Sequence, residues 1–221
     1  MMCPKNKKVV PITITNPVIE DYCIEHASLL PKELYEIEQY TKENILAHRM
    51  LSNHIQAHFL IALSKMIKPK KVLEIGTFTG YSSICLAQGL TEDGRIITIE
   101  KKAEFVKIAK NFFDKYQYQN IQVIEGNAME LIDSLQPTFD LIYLDADKEN
   151  YIDYYKKLLP LLSENGWMVI DNTLWKGLVS DVPKEPVTQK MQAFNDYIAR
   201  QKNIFSFIIP IRDGITLIQK R

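Results

Sequence analysis

Between residues 16 and 67, apolar positions recur at helical spacing. Asn16-Pro17 offers a side-chain cap followed by proline at the first helical position, and Pro31 restarts a second helix through Leu34, Ile37 and Ile45. Ser52 can cap a third, whose face carries Ile55, Phe59, Ala62, Leu63 and Met66. From Lys71 the rhythm changes. Short β-branched or aliphatic runs at 72–75, 95–99, 121–124, 139–144, 167–170, 204–209 and 215–218 alternate with helical stretches, as in a parallel sheet with crossover helices. Only Pro210 to Gly214 separates the last two runs, too little for a helical crossover, so they are expected to pair as an antiparallel hairpin. The pattern predicts an α/β fold in one domain over 1–221: extra N-terminal helices over 16–67, then a mostly parallel seven-stranded core over 71–221. Residues 1–15 and the segment 179–188, with Pro183 and Pro186, read as mobile loops.

Composition narrows the function. Lys+Arg and Asp+Glu both number 27, so there is no basic excess of the kind that neutralises nucleic-acid phosphates, and no nucleic-acid partner is expected. No segment approaches the ~18 apolar residues of a membrane span, and the first ten residues lack the apolar stretch of a secretory signal, so a cytoplasmic protein is expected. Cys3, Cys23 and Cys85 are too few and too scattered for a disulfide framework or a paired-cysteine zinc site. His54 and His58 lie one helical turn apart but lack a third ligand or an HExxH pattern, which favours a plain helix-surface role.

In an open α/β sheet, ligands bind beyond the carboxyl ends of the strands. After the first strand comes Glu74-Ile75-Gly76-Thr77-Phe78-Thr79-Gly80-Tyr81-Ser82, a glycine-bearing turn that opens a helix. Gly76 allows close backbone approach, and the helix start supplies free amide donors. The turn lacks the third glycine of a dinucleotide fingerprint and is not a P-loop, so a nucleoside without phosphates fits better. Glu100, ending the second strand, can accept from both ribose hydroxyls, and Gly126-Asn127-Ala128 can receive a flat base, with Asn127 also able to cap the next helix. The fourth and fifth strands run into Asp145 and into Asp171-Asn172. These two carboxylates and one amide oxygen form a hard-donor set suited to Mg²⁺, Ca²⁺ or Mn²⁺ rather than zinc. Lys148 is expected near the start of the following helix, facing the same pocket, where a divalent cation and poor solvation would lower its hold on a proton and make it a base. Asp147 is left outside this ligand set.

Together these residues resemble the cation-dependent O-methyltransferases, the family that includes caffeoyl-CoA and catechol O-methyltransferases, bacterial small-molecule members above all. The resemblance runs through Met50, Gln56 to Leu60, Val72 to Ser83, the LDADKENY of Leu144 to Tyr151, the DNTLW of Asp171 to Trp175, Ala193 to Asp196, and Pro210 to Leu217. It implies a Rossmann-like class I methyltransferase fold. Glu74, Gly76, Ser82, Glu100, Ala128 and Asp145 would line an S-adenosylmethionine site, with Met50 near the methyl donor. Asp145, Asp171 and Asn172 would hold the metal, with Lys148 as catalytic base. A catechol-like acceptor and a homodimer are implied as well. Ala57 departs from the family's frequent glycine and would narrow the cofactor pocket. Glu100 stands where plant members often carry aspartate, which still suits a ribose. Two further readings stay open: an NAD-dependent oxidoreductase, for which Glu100 would also suit the ribose, and a nucleoside-binding module without turnover.

Overall fold

The computed structural model describes residues 14–136, 138–182 and 185–220. Three helices lead the chain. Helix α1 (Pro17–Glu25) starts at Asn16, whose side chain accepts from the Val18 amide at 3.0 Å, and α2 (Lys32–Asn44) starts directly after Pro31. Helix α3 (His54–Ile67) is capped by Asn53, which accepts from the Gln56 amide at 3.0 Å, and not by the expected Ser52. Either side chain could cap a helix. The backbone of Asn53 is extended immediately before the first helical residue, and that places its oxygen over the free amides. His54 and His58 do not converge: His54 pairs with Glu38 at 2.7 Å, while the ring of His58 spans the carbonyl oxygens of His54 and Ser28.

The core is one seven-stranded sheet in the order β3-β2-β1-β4-β5-β7-β6. Its strands are β1 (Lys71–Ile75), β2 (Arg95–Glu100), β3 (Ile121–Glu125), β4 (Phe139–Leu144), β5 (Leu162–Asp171), β6 (Ile204–Ile209) and β7 (Ile215–Lys220). The first five run parallel, whereas β7 pairs antiparallel with both β5 and β6. The expected closing hairpin is present, and β7 is inserted between β5 and β6, which a local pattern cannot reveal.

Alternation along each strand sends side chains into two cores. Val72, Ile96, Leu141 and Tyr143 face α2, α3, α4 (Tyr81–Ala87) and α5 (Ala103–Lys115). Leu73, Ile75, Ile142 and Leu144 face α6 (Ala128–Leu131), α7 (Tyr151–Leu158) and α8 (Pro186–Ala199). Helix α8 overturns part of the predicted 179–188 loop. Pro186 begins the helix, its fixed φ suiting that first position, and Thr188 is buried. Residues 175–180 form 3₁₀ turns, while Pro183 and residues 1–13 of the other expected loop lie outside the described residues. No helix among the described residues is long and apolar enough to cross a membrane.

Phe194 anchors α8. It is fully buried, and its ring meets that of Tyr151 edge-on at 5.5 Å between centroids. Phe194→Ala is expected to destabilise the protein by about 3–5 kcal/mol, read as a lower urea midpoint with an unchanged slope.

Candidate active site

A cavity of about 560 Å³ opens at the carboxyl ends of β1 to β5. Two backbones meet at its floor. Gly76 leaves β1 with φ +98°, and a Cβ there would lie 2.2 Å from the carbonyl oxygen of Asp145, which leaves the adjacent β4. Only glycine allows that approach, so the first strand's turn and the fourth strand's acidic end share one wall.

On the β1 to β3 side, the two Glu100 oxygens accept the backbone amides of Phe78 and Lys102, each at 2.9 Å. These bonds fix the carboxylate at the wall while each oxygen keeps a further lone pair for a ligand hydroxyl. Asn127 caps α6 by accepting from the Met129 amide at 3.1 Å, and Gly126, Asn127 and Ala128 line the cavity. Phe78 and Phe105, edge to face at 4.7 Å, add an aromatic wall that sequence reasoning missed, since neither lies at a strand end with recognisable chemistry. Met50 sits at the cavity, 61% exposed, in the turn that precedes α3.

Three expected positions are not on the wall. Glu74 is fully buried because strand alternation turns it, like Val72, toward α4, where it accepts from Ser82 Oγ at 2.6 Å and from Ser83 Oγ. Ser82 is thereby committed to Glu74 beneath the turn. Ala57 is buried among core side chains of α3 and narrows nothing. Burial pushes the Glu74 carboxyl up to about 7, against the two serine hydroxyls that favour its anion.

On the β4 to β5 side, Asp145, Lys148, Asp171 and Asn172 all border the cavity. Lys148 lies in a single 3₁₀ turn just ahead of α7, and its Nζ donates to Asp145 Oδ1 at 2.5 Å and to the Tyr151 hydroxyl at 2.8 Å. Tyr151 in turn donates to the Asp171 carbonyl oxygen at 3.1 Å. Burial pulls down the proton affinity of Lys148, but Asp145, Tyr151 and Asp171 outweigh it and hold the ammonium well above the ordinary lysine range. With these side chains alone Lys148 is a firm ion-pair partner, because two carboxylates dominate its surroundings; the expected lowering belongs to the site with a divalent cation bound. Burial first, and then the charge of Asp145, raise the Asp171 carboxyl. Asn172 takes the left-handed φ of +60°, which asparagine tolerates better than most residues, and its backbone N–H donates to Asp171 Oδ1 at 2.7 Å.

The donor set fits a hard divalent cation. Two carboxylates bordering one cavity, with an amide side chain beside them and no thiol or imidazole on the wall, make an oxygen-donor site. Among the described residues no three His, Cys, Asp or Glu side chains gather as a metal cluster, so the third donor here would be the amide of Asn172. The cavity also takes in Arg212 and Asp213 from the β6–β7 turn. Burial pushes Asp213 up to about 6, although the Lys176 amide donates to it. A charged pair between two apolar strands was the signal that could have marked these residues.

Comparison with known proteins adds an independent line. A family profile described as O-methyltransferase matches residues 24–221. A probable caffeoyl-CoA O-methyltransferase of Dictyostelium discoideum is 36% identical over 213 residues, covering 93% of this chain and 92% of its own. The Podospora anserina methyltransferase PaMTH1, solved with bound S-adenosylhomocysteine, superposes with a TM-score of 0.87 at 26% identity, covering 100% of this chain and 99% of its own. The O-methyltransferase TomG of Streptomyces achromogenes, solved with S-adenosylmethionine, has a TM-score of 0.83 at 26% identity, covering 92% and 96%.

Glu74 yields a pH prediction. An unfolded glutamate releases its proton near 4.5 and Glu74 in the folded chain near 7. Between those values the folded state holds the extra proton, so the group's contribution to stability is lost as pH rises through that window. Glu74→Gln is therefore expected to stabilise the protein by about 1–3 kcal/mol at pH 8 and to make no difference at pH 4, measured by urea unfolding at both values.

Proposed function

Because this chain belongs to the O-methyltransferase family and is an S-adenosylmethionine-dependent enzyme of the caffeoyl-CoA type, we propose that it methylates one hydroxyl of a catechol-like small molecule, such as a caffeoyl ester, with the help of a divalent cation. Membership displaces the oxidoreductase and the non-catalytic module as readings. The observation that carries the proposal is the convergence of Asp145, Asp171, Asn172 and Lys148 on one side of a cavity whose other side presents Glu100 and the Gly126–Ala128 turn.

In this reading Gly76, Glu100 and Ala128 border the cofactor's nucleoside, and Met50 and Asp145 stand where the methyl donor meets the acceptor. Asp145, Asp171 and Asn172 would hold Mg²⁺, Ca²⁺ or Mn²⁺, whose charge favours a phenolate over a phenol near neutral pH. Lys148 Nζ would first have to release its own proton to solvent, which a cation offsetting the two carboxylates would favour, and as a neutral amine it then receives the acceptor hydroxyl's proton, with the Tyr151 hydroxyl keeping it in place. Phe78 and Trp175 supply apolar walls that keep water from the transferred methyl group. Methyl transfer from a sulfonium to an oxygen anion develops little new charge, so holding the two partners in line contributes much of the rate.

The enzyme would act as a homodimer in the cytoplasm. Helix α1 buries none of its residues and presents Val18, Ile19 and Tyr22 to solvent, as a face covered by a second copy would. Free Cys23 and Cys85 suit a reducing compartment.

Methyl transfer to a panel of catechols and caffeoyl esters, with Mg²⁺ and with excess chelator, tests the proposal. Turnover is expected to vanish with chelator and return with metal, whereas chelator-resistant turnover would remove the assigned roles of Asp145, Asp171 and Asn172. Lys148→Met is expected to lower kcat by about 10²–10⁴-fold at unchanged cofactor affinity.

A further inference from the structure

Gln56 is a fully buried amide on the helix side that also buries Ala57, Leu60, Leu63 and Ser64. A buried amide is costly unless all its groups are bonded, so its partners reveal what it is for. Its Nε2 donates to Asp171 Oδ2 at 2.5 Å and to the Tyr143 hydroxyl at 2.9 Å, and Tyr143 donates to the same Oδ2 at 3.1 Å. Its Oε1 accepts from Arg212 Nη1 at 3.1 Å. Only one orientation of the amide satisfies this arrangement, because a carboxylate cannot donate and a guanidinium cannot accept. Arg212 is itself 9% exposed and holds a left-handed φ of +50°, while its Nη2 reaches the Arg49 carbonyl at 3.4 Å. A buried charged residue held in that backbone region is over-determined by its surroundings.

We infer that Gln56, oriented by Arg212 and supported by Tyr143, is a positioning residue for Asp171: it occupies Oδ2 from behind, so that Oδ1, which accepts the Asn172 backbone amide at 2.7 Å and keeps a further lone pair, is the oxygen that faces the cation. This inference rests on the metal-dependent reading above. The helix α3, the strand β4 and the β6–β7 turn thus fix the rotamer of one carboxylate at the end of β5. The choice of glutamine follows from charge. A glutamate at this position would set a third carboxylate against Asp171 and Asp145 and could donate nothing when ionised.

The experiment measures Mn²⁺ affinity of the full chain by calorimetry, without acceptor or cofactor, beside a separate titration with S-adenosylhomocysteine. Gln56→Leu and Arg212→Met are each expected to weaken Mn²⁺ binding about 10–100-fold while S-adenosylhomocysteine affinity holds. Arg212→Lys, which keeps one donor for Oε1, is expected to recover most of the loss, a rescue that a purely structural role would not produce. Tyr143→Phe keeps the ring and deletes one donor, so it is expected to weaken Mn²⁺ binding less and serves if the other variants do not fold. Wild-type Mn²⁺ affinity in folded Gln56→Leu or, failing that, in Tyr143→Phe would overturn the inference, as would a parallel fall in both affinities. A wild-type chain that binds no Mn²⁺ would instead overturn the metal reading itself, and this inference with it.

Discussion

Two carboxylates, Asp145 and Asp171, face one poorly solvated space, and the repulsion between them is the constraint that the surrounding structure answers. Like charges brought out of water destabilise each other far more than they would at the surface. Each neighbouring polar group relieves part of that. Lys148 pairs with Asp145, the Asn172 backbone amide and the Gln56 side chain donate to Asp171, and the Arg212 guanidinium stands one bond further back. Several of these donors are themselves deeply buried, so the arrangement is maintained against a desolvation cost that a packing-only core would avoid. Such a concentration of unfavourable charge is typical of a site shaped for chemistry rather than for stability.

The parallel sheet is what brings the two acids together. β4 and β5 are neighbours in register, with Leu144 opposite Ile170, so the residues that leave both strands emerge side by side. Gly76 then sets the exit of β1 against that of β4, and the turn that approaches a cofactor becomes continuous with the acids that approach an acceptor. Beyond β5, the antiparallel β7 carries its preceding turn back to the same end of the sheet, which is how Arg212 and Asp213, late in the chain, reach a cavity begun at Gly76.

Where a residue's role depends on contacts within a few positions, reasoning from sequence reaches it. Asn16 caps its helix, Asn127 caps α6, and the strand-end residues Gly76, Glu100, Asp145, Asp171 and Asn172 all reach the cavity. Glu74 and Ser82 show the limit. Both sit in the right stretch of chain, but the two-residue alternation of β1 turns Glu74 under α4, and Ser82 follows it there. The Ser52 cap failed for a similar reason, since adjacent residues with equal capping ability are separated only by the backbone angles each adopts.

By itself, then, the sequence determined the α/β class, the seven strands, the closing hairpin and the strand-end chemistry, because helical and strand periodicity and turn residues are local properties of the chain. Only the tertiary structure decided that β7 lies between β5 and β6, that Phe78 and Phe105 wall the cavity, and that Gln56, Tyr143 and Arg212 meet behind Asp171. Those residues come from elements as many as 156 positions apart, and nothing in the local pattern of a glutamine on α3 records which arginine will face its oxygen. The pairing of distant groups is set by how the sheet closes and which helices cover it, a property of the whole packed chain.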